Sequence, residues 1–275
     1  MIFKRKGSDA TMINLKLPDI IWIVEVMISC IVNILGLCLL QSLKKKRPMH
    51  ILLINLGAAN LVYTLYPMIV RLVKLRSISD RPQWIKAGGL ASLVNQYLAT
   101  ILLTLDRVVM VQTHIKYLQM VTTSRICVSI AFVWIVSLLH ISYYTCKYHA
   151  KEVFQNIVLS WSILIICVCI FSYTYIFLVM KKRKKALNLL NDLNTEKWKL
   201  RVRVPLLIIV SLTLFCLIPD ILLCAKLVEY TSWFPVIFYL NVIMNPIIYI
   251  LTPRRVKDQW IRCQRFMQNT WLSSK

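Results

Sequence analysis

The sequence predicts an all-α fold: seven membrane-spanning helices in a bundle, with an amphipathic eighth helix at the C-terminus. Three observations predict it. Hydrophobic residues make up 58% of the 275 residues and charged residues only 16%, with a mean hydropathy of +0.65; a soluble domain is less apolar and more charged. Apolar runs of the length needed to cross a hydrocarbon core recur seven times. The breaks between them are short and basic, so the net charge of +23 is spread between spans instead of gathered on one polar domain, and nucleic acid is not an expected partner. The spans are helical because a single chain in lipid must satisfy its own backbone hydrogen bonds.

Residues 1–19 read as a polar, basic extracellular tail. The run Ile20–Leu40 is too long for the apolar core of a removable signal and reads as a first span. Met49–Val70 follows after the break "KKKRP", then Gly89–Val111. The stretch "KYLQMVTTSR" separates that third span from Ile126–Tyr143. Val153–Met180 is the fifth, and a long basic segment, "KKRKKALNLLNDLNTEKWKLRVR", leads to Val204–Val228 and then Trp233–Leu251. The bundle thus occupies residues 20–252. Residues 253–275 read as an amphipathic helix and cytoplasmic tail, with Val256, Trp260 and Met267 at a spacing suited to lying along the interface.

Orientation follows from lysine and arginine. With the N-terminus outside, the cytosolic segments hold about 21 basic residues and the outer ones about 12. The reading is a multi-pass protein of the plasma membrane, N-terminus outside and C-terminus inside. Nine cysteines occur without a CxxC pair or a zinc-spaced Cys/His cluster, and no N-x-S/T sequon is present. No metal or other cofactor is expected.

Polar groups inside a span are costly and are therefore candidates for function. They are Glu25 and Asn33 in the first span, Asn55 and Asn60 in the second, Asn95, Gln96, Asp106 and Arg107 in the third, Asp220 in the sixth, and Asn241 and Asn245 in the seventh. Asn33, Asn60, Asn241 and Asn245 lie at similar depth and predict an interhelical polar network. The alternative is that each amide caps a defect of its own helix. By itself the Asp106–Arg107 pair could be an ordinary charge pair at the end of a span.

Several segments resemble the motifs of rhodopsin-like (class A) G-protein-coupled receptors. "VNILG" is similar to the first-helix asparagine motif and "NLGAANLVYTLYP" to the second helix. "LTLDRVVMVQTHIKYLQMVTTSR" is similar to the end of the third helix and the loop after it, where an Asp-Arg-aromatic triplet precedes Pro-Leu-x-Tyr. Trp134 matches the fourth-helix tryptophan, Tyr173 the fifth-helix tyrosine, Pro219 the sixth-helix proline, and "NPIIY", Asn245 to Tyr249, the seventh-helix motif. The resemblance runs in order along nearly the whole chain. It implies a receptor for an extracellular ligand that activates a heterotrimeric G protein. Its activation residues would be Asp106, Arg107, Tyr173, Pro219, Asn245, Pro246 and Tyr249. It further implies that Asp106 holds Arg107 at rest. When helix six swings outward, Arg107 would turn to the G protein, Tyr173 and Tyr249. Pro219 and Pro246 would mark where helices bend, since each removes a backbone donor.

The chain also departs from that pattern. Asn60 stands in place of the second-helix aspartate, which removes the carboxylate of a sodium site. Val108 replaces the aromatic after the arginine and His114 the loop proline. Leu217 and Thr213 replace two sixth-helix aromatics, and Lys199 stands where some relatives place an acid that locks the arginine. Raised basal activity is the expected consequence. The outer cysteine of helix three is missing, which leaves Cys146 without its usual partner, and helix five has Ile165 and its neighbours where a proline is usual. These absences resemble the melanocortin, lysophospholipid and cannabinoid receptors. Tyr239 at the retinal-lysine position argues against an opsin.

By resemblance the ligand pocket would be lined by Tyr66, Tyr97, Trp161, Leu217, Asp220, Phe238 and Tyr239. A basic rim, including Arg71, Lys74, Arg81 and Lys147, would attract an anionic amphiphile or anchor to lipid headgroups. Asp220 and Glu25 argue instead for a cationic ligand group. Cys263 stands where many relatives carry a palmitoyl chain, and membrane lipids are expected partners. The alternatives are a receptor-like membrane protein that does not couple and a transporter or channel. Enzymatic chemistry is not expected, because Asp106 and Asp220 fall at opposite ends of their spans and the four histidines read as lying in or near loops.

Overall fold

The computed structural model describes residues 17–43, 46–74, 83–113, 116–147, 151–187, 221–222, 240, 242–244 and 246–247. Among these residues the chain is helical with no strand. Helix α1 runs Leu17–Gln41, α2 Pro48–Lys74, α3 Gln83–Thr113, α4 Tyr117–Met120, α5 Thr123–Lys147 and α6 Lys151–Leu187. Five of them are long and apolar enough to cross a membrane: α1, α2, α3, α5 and α6. They coincide with the first five spans read from the sequence. Most of the sixth and seventh spans, and the whole of residues 253–275, fall outside the described residues. Those with Pro219, Asn241, Asn245, Tyr249, Leu217, Asp220, Phe238, Tyr239 and Cys263 are therefore not placed.

Local chemistry sets the helix starts. Pro48 opens α2, where its missing N–H and fixed φ cost nothing. Three residues after the cap, the His50 ring reaches back and accepts the Arg47 backbone N–H at 3.1 Å from Nδ1, as the third residue of a capping box does. Before α5, Thr122 Oγ1 accepts the Arg125 N–H at 3.4 Å. The stretch between α3 and α5, read from the sequence as a plain break, contains the single turn α4.

The third helix is the axis of the bundle. Its span is 67% buried, against 17% to 44% for the other four, and it packs on α2, α5 and α6 as well as on α4. One apolar cluster joins α1, α2 and α3 through Leu40, Leu53, Leu56 and Leu103; another joins α3 and α6 through Val94, Tyr97, Ile165 and Cys169. The outward faces are apolar too. Val128, Phe132, Ile135 and Leu139 of α5 are 56–67% exposed, and Phe171 of α6 is 75% exposed. Meanwhile Asn33, Asn55, Asn60, Asn95, Gln96 and Asp106 are buried. Polar inside and apolar outside is the arrangement a lipid solvent demands, and water would not tolerate so large an apolar face.

Candidate functional site: a polar seam with a cation at one end

The helices are tied to one another by single polar contacts. Ser29 Oγ lies 3.1 Å from Thr64 Oγ1 and joins α1 to α2. Trp134 Nε1–H donates to Asn55 Oδ1 at 2.9 Å and joins α5 to α2. Ser137 Oγ–H donates to Asn95 Oδ1 at 3.4 Å and also to its own helix at Val133 O. Tyr97 and Ser162 hydroxyls are 3.4 Å apart between α3 and α6. Other hydroxyls, such as those of Thr100 and Thr104, donate to the carbonyl one turn earlier, and Thr104 also meets the Cys169 thiol of α6.

Asn33 and Asn60 do not bond to each other directly. Asn33 Nδ2–H donates to Ser29 O at 2.8 Å and reaches Val242 O at 3.3 Å, so it crosses from α1 to the 242–244 segment. Both asparagines line a small cavity shared with Gly36, Gly57 and Pro246, with room for about one water molecule. Asn60 is fully buried, and neither its Oδ1 nor its Nδ2 meets a partner among the described residues. Among the described residues its lining holds amides and no carboxylate.

At the end of α3, Asp106 and Arg107 part company. The Asp106 carboxylate is buried, and Oδ1 accepts the Tyr117 hydroxyl at 2.5 Å. The guanidinium of Arg107 hydrogen-bonds Met110 Sδ, 3.8 Å from Nη1, and no other hydrogen bond of it is seen among the described residues. Among the described residues no hydrogen bond joins Asp106 to Arg107. Successive residues of a helix point about 100° apart and do not face each other. Asp106 turns inward to α4, and Arg107 lies along α3 over the residue three further on. Burial first, and then the hydrogen bond and charge of Asp106, push the Tyr117 phenol well above its ordinary pKa. Tyr173 packs at the same end, beside Val108, Val111, Ile176 and Met180. No hydrogen bond joins it to Arg107 among the described residues.

No family model and no curated protein matches this chain.

The three described residues of the expected ligand pocket lie at three different helix contacts. The Tyr66 ring of α2 lies on the bare backbone of α3. A Cβ added to Gly88 would stand 2.8 Å from Tyr66 Cε2, and one added to Gly89 2.9 Å from Cε1. Tyr97 is 3% exposed and packs into the core with its hydroxyl at Ser162. Trp161 of α6 donates its indole N–H to His140 Nε2 of α5 at 3.1 Å. His140 is thus inside a helix and engaged, where the sequence had placed it in or near a loop. Sequence reasoning did not single out Tyr117, His140 or the Ser29–Thr64 pair. Tyr117 had a visible signal, since it is the tyrosine of the loop motif that follows the Asp-Arg pair.

Proposed function

We propose that this chain is a rhodopsin-like G-protein-coupled receptor of the plasma membrane. It takes an extracellular ligand and activates a heterotrimeric G protein through Arg107. The ordered set of helix motifs supports the reading, as does the burial of Asn33, Asn55, Asn60 and Asp106 inside helices whose outer faces are apolar. The observation that carries it is the division of labour at the end of α3. Oδ1 of the buried acid accepts the Tyr117 hydroxyl, and among the described residues the adjacent guanidinium hydrogen-bonds only a thioether. A guanidinium carries five N–H donors and no acceptor, so Arg107 is left with donors for carbonyls at the C-terminus of a partner helix. Outward movement of helix six would uncover it, and Tyr173 stands at the same end to accept it.

The test is G-protein activation in cells that express the chain without added ligand, compared with Arg107→Ala at matched surface expression. Signal from the native chain that disappears in the variant is the expected result. An equal signal from both would remove Arg107 from the mechanism. A native chain that is silent at the surface would favour the second reading, a receptor-like membrane protein that does not couple. Asn60, with no carboxylate among the described residues of its cavity, speaks for that reading.

A further inference from the structure

We propose that His140 and Trp161 form a proton-operated clasp between α5 and α6, opened when the His140 ring takes a proton at Nε2. Two contacts fix the ring. Its Nδ1 lies 2.8 Å from Val136 O, one turn back on α5. Its Nε2 lies 3.1 Å from the Trp161 indole nitrogen. A carbonyl oxygen only accepts and an indole N–H only donates. Nδ1 must therefore carry the hydrogen and Nε2 must present its lone pair. The clasp closes only with a neutral imidazole in that one tautomer.

A proton arriving from water would take the Nε2 lone pair. The Nδ1–H bond to Val136 O would survive and hold the ring on α5. The Trp161 N–H would lose its acceptor and face another N–H at about hydrogen-bond distance, next to a positive charge. The rings meet edge to face, with centroids 5.6 Å apart and planes at 61°, so the indole N–H points at the ring nitrogen and must turn away. What breaks is the link between helices, and what is released is Trp161. The contact is partly buried, and His140 is the last residue of the apolar span of α5.

Two histidines follow one another here in sequence, His140 on α5 and His149 in the connection to α6, the second outside the described residues. On α5 itself, Arg125 and Cys127 lie at the far end, and Tyr143, Tyr144, Cys146 and Lys147 follow toward the α5–α6 connection. On α6, Lys151 and Glu152 precede Trp161, while Cys167, Cys169, Tyr173, Tyr175, Lys181 and Lys182 follow it. On α3, Lys86 lies toward the same end, Tyr97 is engaged with Ser162, and Asp106 and Arg107 lie at the opposite end. On α2, which meets α5 at Asn55–Trp134, the ionisable residues toward this end are Tyr63, Tyr66, Arg71 and Lys74. His140 is the one imidazole on α5 and α6. Glu152 is the one acid at this end of α5 and α6, and the variants below separate it from His140.

Trp161 is among the residues assigned to the ligand pocket, so opening the clasp would make that pocket respond to external acidity. This consequence rests on the receptor reading. The clasp itself does not, and its test reads no signalling. The full chain, with its indole nitrogens labelled with nitrogen-15, is placed in nanodiscs of zwitterionic phosphatidylcholine and titrated from about pH 8 to about pH 5. The Trp161 resonance is identified by its loss in Trp161→Phe. The expected result is a one-proton shift of that resonance, absent from His140→Gln, whose amide oxygen can still accept the indole N–H but cannot be charged. His140→Asn serves the same purpose if the first variant does not fold. Trp134, held by Asn55, stays fixed throughout. A Trp161 resonance that does not move would overturn the clasp. So would the same shift persisting without His140, which would assign the proton to Glu152 or another group, or a parallel shift of Trp134, which would make the response global.

Discussion

Tyr117 of the single-turn helix α4 donates its hydroxyl to Asp106 Oδ1 of α3, at 2.5 Å. This contact makes the stretch between α3 and α5 a structural part of the bundle's end, and it takes one oxygen of the acid, whose Oδ2 has no hydrogen-bond partner among the described residues.

Tyr117→Phe removes the donor and leaves a buried carboxylate unsatisfied. The expected cost is about 1–3 kcal/mol of stability, read by thermal unfolding in detergent against the native chain. The phenol titrates above its ordinary value, so the neutral donor is fully present below that value and is lost only as pH rises through the raised one. The native-minus-variant difference should therefore stay flat from neutral pH to about pH 9. A difference that fades within that range would place the stabilisation elsewhere.

Gly88 and Gly89 are where α3 admits the Tyr66 ring. Alanine at either position puts a methyl group 2.8 or 2.9 Å from ring carbons and should cost about 1–3 kcal/mol. Tyr66→Leu, combined with either alanine, should recover much of that loss, because the contact is shared. Additive losses in the double variants would show that the ring and the glycines do not meet.

The Asn55–Trp134 bond joins α2 to α5 across the bundle. Trp134→Phe keeps most of the ring and deletes the donor, with an expected loss of about 0.5–2 kcal/mol. Asn55→Leu should give a similar loss, and the two together little more than either alone. Equal and independent losses would argue against a direct bond.

The described lining of the Asn33–Asn60 cavity has no carboxylate, so replacing sodium by potassium at constant ionic strength should leave thermal stability and basal signal unchanged. Basal G-protein activation should exceed that of empty membranes, because the described contacts of Arg107 include no acid. A chain that responds to sodium, or is silent at the surface, would contradict these two expectations respectively.

Element positions were readable because the signal for them is local. A span is a length of apolar residues, and all five long helices fall on runs visible in the sequence. The inward-facing polar residues were also visible, since lipid makes each of Asn33, Asn55, Asn60, Asn95 and Asp106 too costly to expose. Their partners were not visible. Serine and threonine carry no such signal, because they can bond to their own helix. Ser29–Thr64 and Ser137–Asn95 became contacts only once two helices were set side by side.

By itself the sequence determined that this chain folds as apolar helices with a buried polar seam, because hydrophobic length and the cost of polar groups in lipid are properties of single segments. Tertiary structure alone decided how that seam is wired: Asp106 to Tyr117, Arg107 left beside Met110, and His140 drawn to Trp161. The rotation of one helix against another sets which side chain a polar group can reach, and neighbours in sequence on a helix point apart. Partners are therefore fixed by packing geometry that no single segment encodes.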